Sequence, residues 1–252
     1  MESNSINLFL ISLAGFLIFD FSAYLTHRFF HKFSIIWPFH SPHHSAEVLS
    51  PITAIRDHFV FDILLDFSFY LFMGIGQGIL IWATLGSVKP YQLLEYALIF
   101  NLFNYFFGNF QHSHIWISFG FLDRVILSPS MHQIHHSVDP KHRNKNYGFF
   151  LSIWDQMFGT IYVPKGKEEL TYGIDKGVKN PHDTLLKFYL LPFKESGLVL
   201  KNKFQSLWNI PILITNKFLA SDISQVKNKP QLHNMVKKNG KEPAFPQVYK
   251  LK

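Results

Sequence analysis

Residues 20–44 read DFSAYLTHRFFHKFSIIWPFHSPHH, the end of an apolar run that passes into two histidine groups, His27-Arg-Phe-Phe-His31 and His40-Ser-Pro-His43-His44. On a helix, side chains four apart share one face, and those three apart lie close to it, so each group can aim two or three imidazoles at one point. The run that leads in, residues 6–25, has the length that crosses a bilayer core, about 20 helical residues. This stretch predicts a membrane helix with histidines at its mouth.

Further along stand His112 and then His132-Gln-Ile-His135-His136, which brings the set to nine imidazoles in four places. Two more apolar runs, residues 59–85 and 91–110, separate the first groups from the last. The middle run is overlong and holds Asp62, Asp66 and the Gly74, Gly76, Gly78 cluster, so a tilted, broken or hairpin geometry is open to it. Arg28, Lys32 and Arg56 follow the first run, and Arg124, Lys141, Arg143 and Lys145 follow the third, whereas the loop at 86–90 carries only Lys89. Basic residues favour the cytoplasmic side. With the middle run counted as one crossing, all four histidine groups fall on that side. The expected fold is therefore all-α: an integral membrane helical bundle with a cytoplasmic helical cap that holds a histidine-rich di-metal site.

Composition agrees with a lipid setting: 28 Phe, 17% aromatic and only 16% charged residues. The net charge of +7 comes from Lys and Arg alone, and no nucleic-acid motif accompanies it, so it reads as membrane-facing charge. There is no cysteine, which excludes disulfides, thiolate metal sites and cysteine nucleophiles. The N-terminus lacks a basic n-region and a clear cleavage site, so the first apolar run is expected to be retained. Residues 1–165 are expected to form the membrane-embedded catalytic domain, 166–220 a cytoplasmic or interfacial segment, and 221–252 a polar tail.

Any metal here is held by nitrogen and oxygen, and imidazole suits Zn, Cu, Fe and Ni. A structural zinc takes four ligands and a catalytic zinc about three from protein, so nine histidines overfill one zinc site. Two metals are the economical reading. Soluble di-iron bundles use Glu with Glu-x-x-His, and no such motif occurs here.

The set HRFFH, HSPHH and HQIHH closely resembles the fatty acid hydroxylase and sterol desaturase superfamily of membrane di-iron oxygenases. Asp20-Phe-Ser-Ala-Tyr24 is similar to the lead-in to its first box, and Asn146-Tyr147-Gly148 with Trp154-Asp155-Gln-Met-Phe158-Gly159-Thr160 to the stretch after its last. The likeness covers roughly residues 10–165. It implies metal-ligand roles for His27, His31, His40, His43, His44, His132, His135 and His136, with His112 as the ninth. His114 stands where the family often has Asn, two places after that middle histidine. Two iron ions, O2 as co-substrate and electrons from a separate carrier follow from the likeness, since no GxGxxG motif supplies a cofactor. That carrier is a cytochrome, a ferredoxin or a reduced pterin. The alkylglycerol monooxygenase branch is similar around HQIHH, which raises ether lipids among the substrates. The reaction implied is hydrogen removal from an unactivated C–H bond of an acyl, ether-lipid, sterol or isoprenoid chain, ending in an alcohol or an alkene.

Asp20, His58, His114, Asn146 and Asp155 are candidates to support the ligands, Asp20 by accepting from a ligand ring. Asp62 and Asp66 suit helix packing or the interface equally well. Phe103, Tyr105, Phe106 and Phe107 are candidates for a substrate channel wall. His142, His182 and His233 lie outside the groups and read as structural or surface residues. The expected setting is a multi-pass protein of a bacterial inner membrane or the endoplasmic reticulum, with a lipid substrate and an electron-transfer partner. Against this enzyme stand two alternatives, a metal-handling membrane protein and an inactive scaffold of the same family. A transporter would place histidines at mid-membrane rather than beside the apolar runs, and all three boxes are intact.

Overall fold

The computed structural model describes residues 5–83, 98, 102 and 105–226. Phe103, His233, the loop at 86–90 and the tail from 227 lie outside the described residues. The helices are α1 (Ser5–Lys32), α2 (Trp37–His44), α3 (Phe59–Ala83), α4 (described over residues 105–111), α5 (Pro129–His135), α6 (Ile153–Met157) and α7 (Leu185–Val226), with 3-10 turns at Pro51–Ile55 and Gly120–Arg124. Among the described residues there is no strand, only two isolated antiparallel bridges, Ile126 with Leu151 and Ser137 with Tyr172. The fold is all-α.

α3 runs unbroken through Gly74, Gly76 and Gly78, so over its described length the middle apolar run is neither broken nor folded back. Its 25 residues span about 37 Å at 1.5 Å per residue. Ile63, Phe67, Ile75, Ile79 and Trp82 are exposed on it, the reverse of a soluble core helix. Long, apolar and mostly uncovered by protein, it has the length and composition to cross a membrane. α1 packs along it, and at Gly76 a Cβ would lie 2.5 Å from Ile18 Cγ2. A side chain there would force Ile18 to move.

Beyond the apolar runs, Phe30, Phe39 and Phe61 tie α1, α2 and α3 into one core, flanked by Ile36, Val60, Leu64 and Leu65. α2 is an eight-residue helix with Pro38 in its first turn and Pro42 inside it. Pro42 has no N–H for the Pro38 carbonyl, and Ser41 Oγ donates to that carbonyl instead at 2.9 Å. The Pro42 carbonyl accepts from Ser45 Oγ and from the Arg56 guanidinium, which fixes the end of the helix.

The turn-rich segment after Gly159 packs on this body. Val138 N–H donates to the Thr171 carbonyl, Ser41 Oγ bonds the His182 ring, and Ser196 Oγ donates to the Ile35 carbonyl. α7 shows why its sequence has no single apolar face. Pro192 and Ser196 are buried against the body, while Leu185, Leu186, Tyr189, Leu190, Phe193 and Leu200 form a second, exposed apolar arc. Lys187 and Lys194, two turns apart, line its edge.

Candidate metal centre

The nine histidines gather into two adjoining groups. His27, His31, His40, His44 and His135 form one, and His43, His112, His132 and His136 the other, with ligand atoms in each group within 4.8 Å of one another. Each HxxHH box is divided. His40 and His44 go to the first group and His43 to the second; His132 and His136 go to the second and His135 to the first. HRFFH aims both its rings at one group, and in each HxxHH box the i and i+4 rings share a group, so the expectation is corrected only for the third ring of those two boxes. Residues at i and i+4 are about 40° apart around a helix axis and i+3 about 60° to the other side of i, so the third ring reaches a different neighbour. The rings meet across the divide, His44 on His136 at 4.4 Å and His40 on His43 at 5.1 Å.

Seven of these side chains are buried; His27 and His31, at the end of α1, are half-buried. Inside the four-membered group the Nε2 atoms of His43 and His132 lie 3.2 and 2.9 Å from that of His112, and His136 Nε2 lies 3.2 Å from His132 Nε2. In the other group His31 Nε2, His44 Nε2, His135 Nε2 and both His40 nitrogens are buried with no hydrogen-bond partner. Buried polar atoms are nearly always paired, so a concentration of bare ring nitrogens converging on two points needs an electrophile to explain it. Two metal ions fit that donor set. Burial, then the neighbouring rings, holds His40, His44, His132, His135 and His136 well below the ordinary 6.5. Burial and His43 push His112 down to about 3. Neutral rings keep their lone pairs free for a cation.

Ring orientation is set by the opposite nitrogens. His27 Nδ1 bonds the Tyr147 carbonyl at 3.0 Å, His135 Nδ1 that of Lys145 at 2.9 Å and His112 Nδ1 that of Gly108 at 2.7 Å. A carbonyl can only accept, so each Nδ1 carries the proton and each Nε2 is left for a ligand. One loop thus orients two rings that are far apart in sequence. Asn144 and Asn146 give it left-handed turns, φ 61° and 57°. The Asn146 amide donates to the Met131 and Tyr162 carbonyls at 3.0 and 2.9 Å and accepts from Tyr162 N–H at 2.7 Å. Asp155 accepts from the Tyr147 and Gly148 N–H groups at 2.8 and 2.7 Å and from Thr160 Oγ1 at 2.6 Å, and Tyr24 OH contacts that hydroxyl at 3.1 Å.

Asp20 lies further out than expected. Its oxygens accept from Phe150 N–H, Leu151 N–H and Trp154 Nε1, so it anchors the lead into α6 rather than a ligand ring. His58 uses both nitrogens elsewhere, accepting from Val60 N–H and donating to the Tyr189 carbonyl, while its ring lies on Phe39. His114 is exposed. Phe107 packs on Phe150 at 4.9 Å, whereas Tyr105 and Phe106 face outward. His142 is buried between Ser137 Oγ and Glu168, and His182 is buried beside Ser41. Four contributors left no spacing signal. Gln111 ties His112 to the Leu127 and Phe149 carbonyls, and Gln133 ties α5 to Ser113 and Ile115. Trp37 leans on His31 and His44, and Asp57 stands beside His43.

The sequence that carries these histidines matches a known family. A family model described as fatty acid hydroxylase matches residues 12–160, which hold every one of the nine histidines. The chain belongs to the fatty acid hydroxylase family. Among curated members it is 28% identical to the alkylglycerol monooxygenase of Danio rerio, over 84% of this chain and 44% of that protein. The alkylglycerol monooxygenase of Xenopus tropicalis is 33% identical over 63% of this chain and 32% of its own length. An ornithine lipid hydroxylase of Rhizobium tropici is 31% identical over 64% of this chain and 44% of its own. The chain thus spans less than half the length of these family members. No solved structure matches it.

Proposed function

We propose that this protein is a membrane-bound oxidoreductase that hydroxylates or desaturates a lipid, with two iron ions held by His27, His31, His40, His44 and His135 on one side and His43, His112, His132 and His136 on the other. The observation that carries this reading is the division of nine buried or half-buried imidazoles into two convergent sets with unpaired nitrogens. Iron is favoured over zinc because the relatives' names, monooxygenase and hydroxylase, imply O2 activation, which redox-active iron supports and zinc does not.

When bound, the iron pair would supply the oxidising power to break an unactivated C–H bond, which no side chain can provide. The chain's own residues do the rest. The 145–147 carbonyls and Gly108 hold the rings in the tautomer that leaves Nε2 free. Burial keeps the rings neutral and water away from the reacting carbon. Electrons come from outside, through a cytochrome, ferredoxin or reduced pterin, and O2 is the co-substrate.

The named relatives act on alkylglycerols and ornithine lipids, which supports a substrate with a polar head at the interface and an alkyl or acyl chain in the bilayer. The exposed arc of α7 suits the same interface, with leucines and aromatics toward acyl chains and Lys187 and Lys194 among lipid phosphates. We place the site on the cytoplasmic side of a bacterial inner membrane or the endoplasmic reticulum, residues 1–165 as the catalytic domain, 166–220 as the interfacial segment and 221–252 as a polar tail. The test is metal content of the detergent-purified protein beside lipid extracts of cells with and without it. About two irons per chain and a new hydroxylated or unsaturated lipid are expected; zinc, or a single ion with unchanged lipids, would overturn the proposal.

A further inference from the structure

We propose that Asp57 makes the two ion positions unequal: it is a positioning residue that sets a carboxylate directly against a ring of the four-histidine site, whereas at the five-histidine site the partnered outer nitrogens, those of His27 and His135, meet neutral carbonyls. The inference rests on the two-ion reading above. Of the ring nitrogens turned away from the two convergence points, those of His27, His135 and His112 meet backbone carbonyls. His43 Nδ1 instead stands 3.2 Å from Asp57 Oδ1. Neither of these atoms makes a hydrogen bond, so the close approach is an ion-pair contact, and the two side chains are only 8% and 16% exposed.

The contact is built rather than incidental. On one side of Asp57, Arg56 is tied to the Pro42 carbonyl and, at 2.7 Å, to Ser45 Oγ, both at the end of the helix that carries His43. On the other side, the His58 ring is fixed by Val60 N–H and the Tyr189 carbonyl at 3.1 Å each. The backbone at 57 is thereby held against α2 with its carboxylate aimed at one ring. Arg56 directs its guanidinium to the end of α2, and the Asp57 carboxylate lies beside His43.

A carboxylate behind an imidazole does more than a carbonyl. It forms a charge-assisted contact in a low-dielectric setting, raises the basicity of the coordinating nitrogen and offsets part of the ion's positive charge. An ion on His43, His112, His132 and His136 would therefore gain from that charge in retention and, when oxidised, in stabilisation. Partners of this kind typically carry about 10- to 100-fold in metal affinity.

The test loads the purified full-length chain with cobalt(II), whose absorption reports each ligand set, and follows release of the ions to a competing chelator. Wild type is expected to release two ions in two phases. His43→Ala should remove one phase and so mark it as the four-histidine site. Asp57→Asn, which keeps the shape and removes the charge, should weaken that same phase about 10- to 100-fold and shift its spectrum, leaving the other phase unchanged. Asp57→Glu, which restores the charge, should recover most of the loss, an effect that a purely structural role would not give. Two unchanged phases in Asp57→Asn, beside a lost phase in His43→Ala, overturn the assignment of Asp57 while the two-ion reading stands. A wild type that binds a single ion overturns both.

Discussion

The five-histidine and four-histidine groups draw on the same residue type at the same helical spacings, yet they are built differently. The first takes two half-buried rings from the end of the apolar helix α1 and reaches 108 residues on for its fifth member, His135. It is held from behind by the loop at 144–148. The second is buried throughout and is held by Gly108 and Asp57. The difference teaches that the boxes supply rings, whereas the tautomers and aims are supplied by carbonyls and a carboxylate outside the boxes. It also gives each group a supporting residue of its own.

The largest effect separates the groups directly. His135→Ala should lower metal content from two ions to one and reduce product formation more than 100-fold, since the proposed reaction would need both ions. His132→Ala should do the same through the other group. Elemental analysis with lipid mass spectrometry checks this, and His114→Ala, at an exposed position, should change neither. Two ions and normal product in His135→Ala would break the comparison at its root.

Next in size is the titration of the metal-free protein, in which both groups should act alike. Burial holds His40, His44, His112, His132, His135 and His136 below 6.5, so in the folded chain they stay neutral where the unfolded chain takes up protons. Below pH 6.5 the unfolded state therefore binds more protons, and stability falls with falling pH by up to about 1.4 kcal/mol per pH unit per ring. Thermal melts of chelator-treated protein between pH 7.5 and 5 should show a steep drop that metal loading delays. A flat profile would mean that the rings are solvated rather than packed.

The supporting loop gives a more selective effect. Asp155→Ala strands two buried N–H groups and a hydroxyl, at about 1–3 kcal/mol for each unsatisfied group. It should weaken ion retention at the five-histidine site and leave the other site as it was, the mirror image of Asp57→Asn. Smallest of all, Tyr24→Phe removes the hydroxyl's contact to Thr160 and the bond it accepts from the half-exposed Arg28 at the outer end of that network, together worth about 1 kcal/mol in chemical denaturation, with both ions kept.

Much of the site was legible because its signals are local. HRFFH and the two HxxHH boxes announce themselves by spacing, and the apolar runs by length. Asp57 and Gln111 gave no such signal, since each is a single polar residue whose partner lies 14 or more positions away. Asp20 was misread in its target for the same reason. A carboxylate seven residues before His27 is near it in sequence, but the groups that meet it, Phe150, Leu151 and Trp154, come from the far end of the domain. The segment after Gly159 looked loose because its bonds to the body run through isolated serines and carbonyls, which carry no periodicity.

By itself the sequence determined the helical class, the apolar α3, the donor chemistry without thiolates, and the nine imidazoles, because periodicity and residue type act over one or two turns. Only the tertiary structure decided which ring joins which group, that each HxxHH box is shared between the two, and which carbonyl or carboxylate stands behind each ring. Those are contacts between segments up to 120 residues apart, and a helix fixes the directions of its side chains without fixing what waits for them.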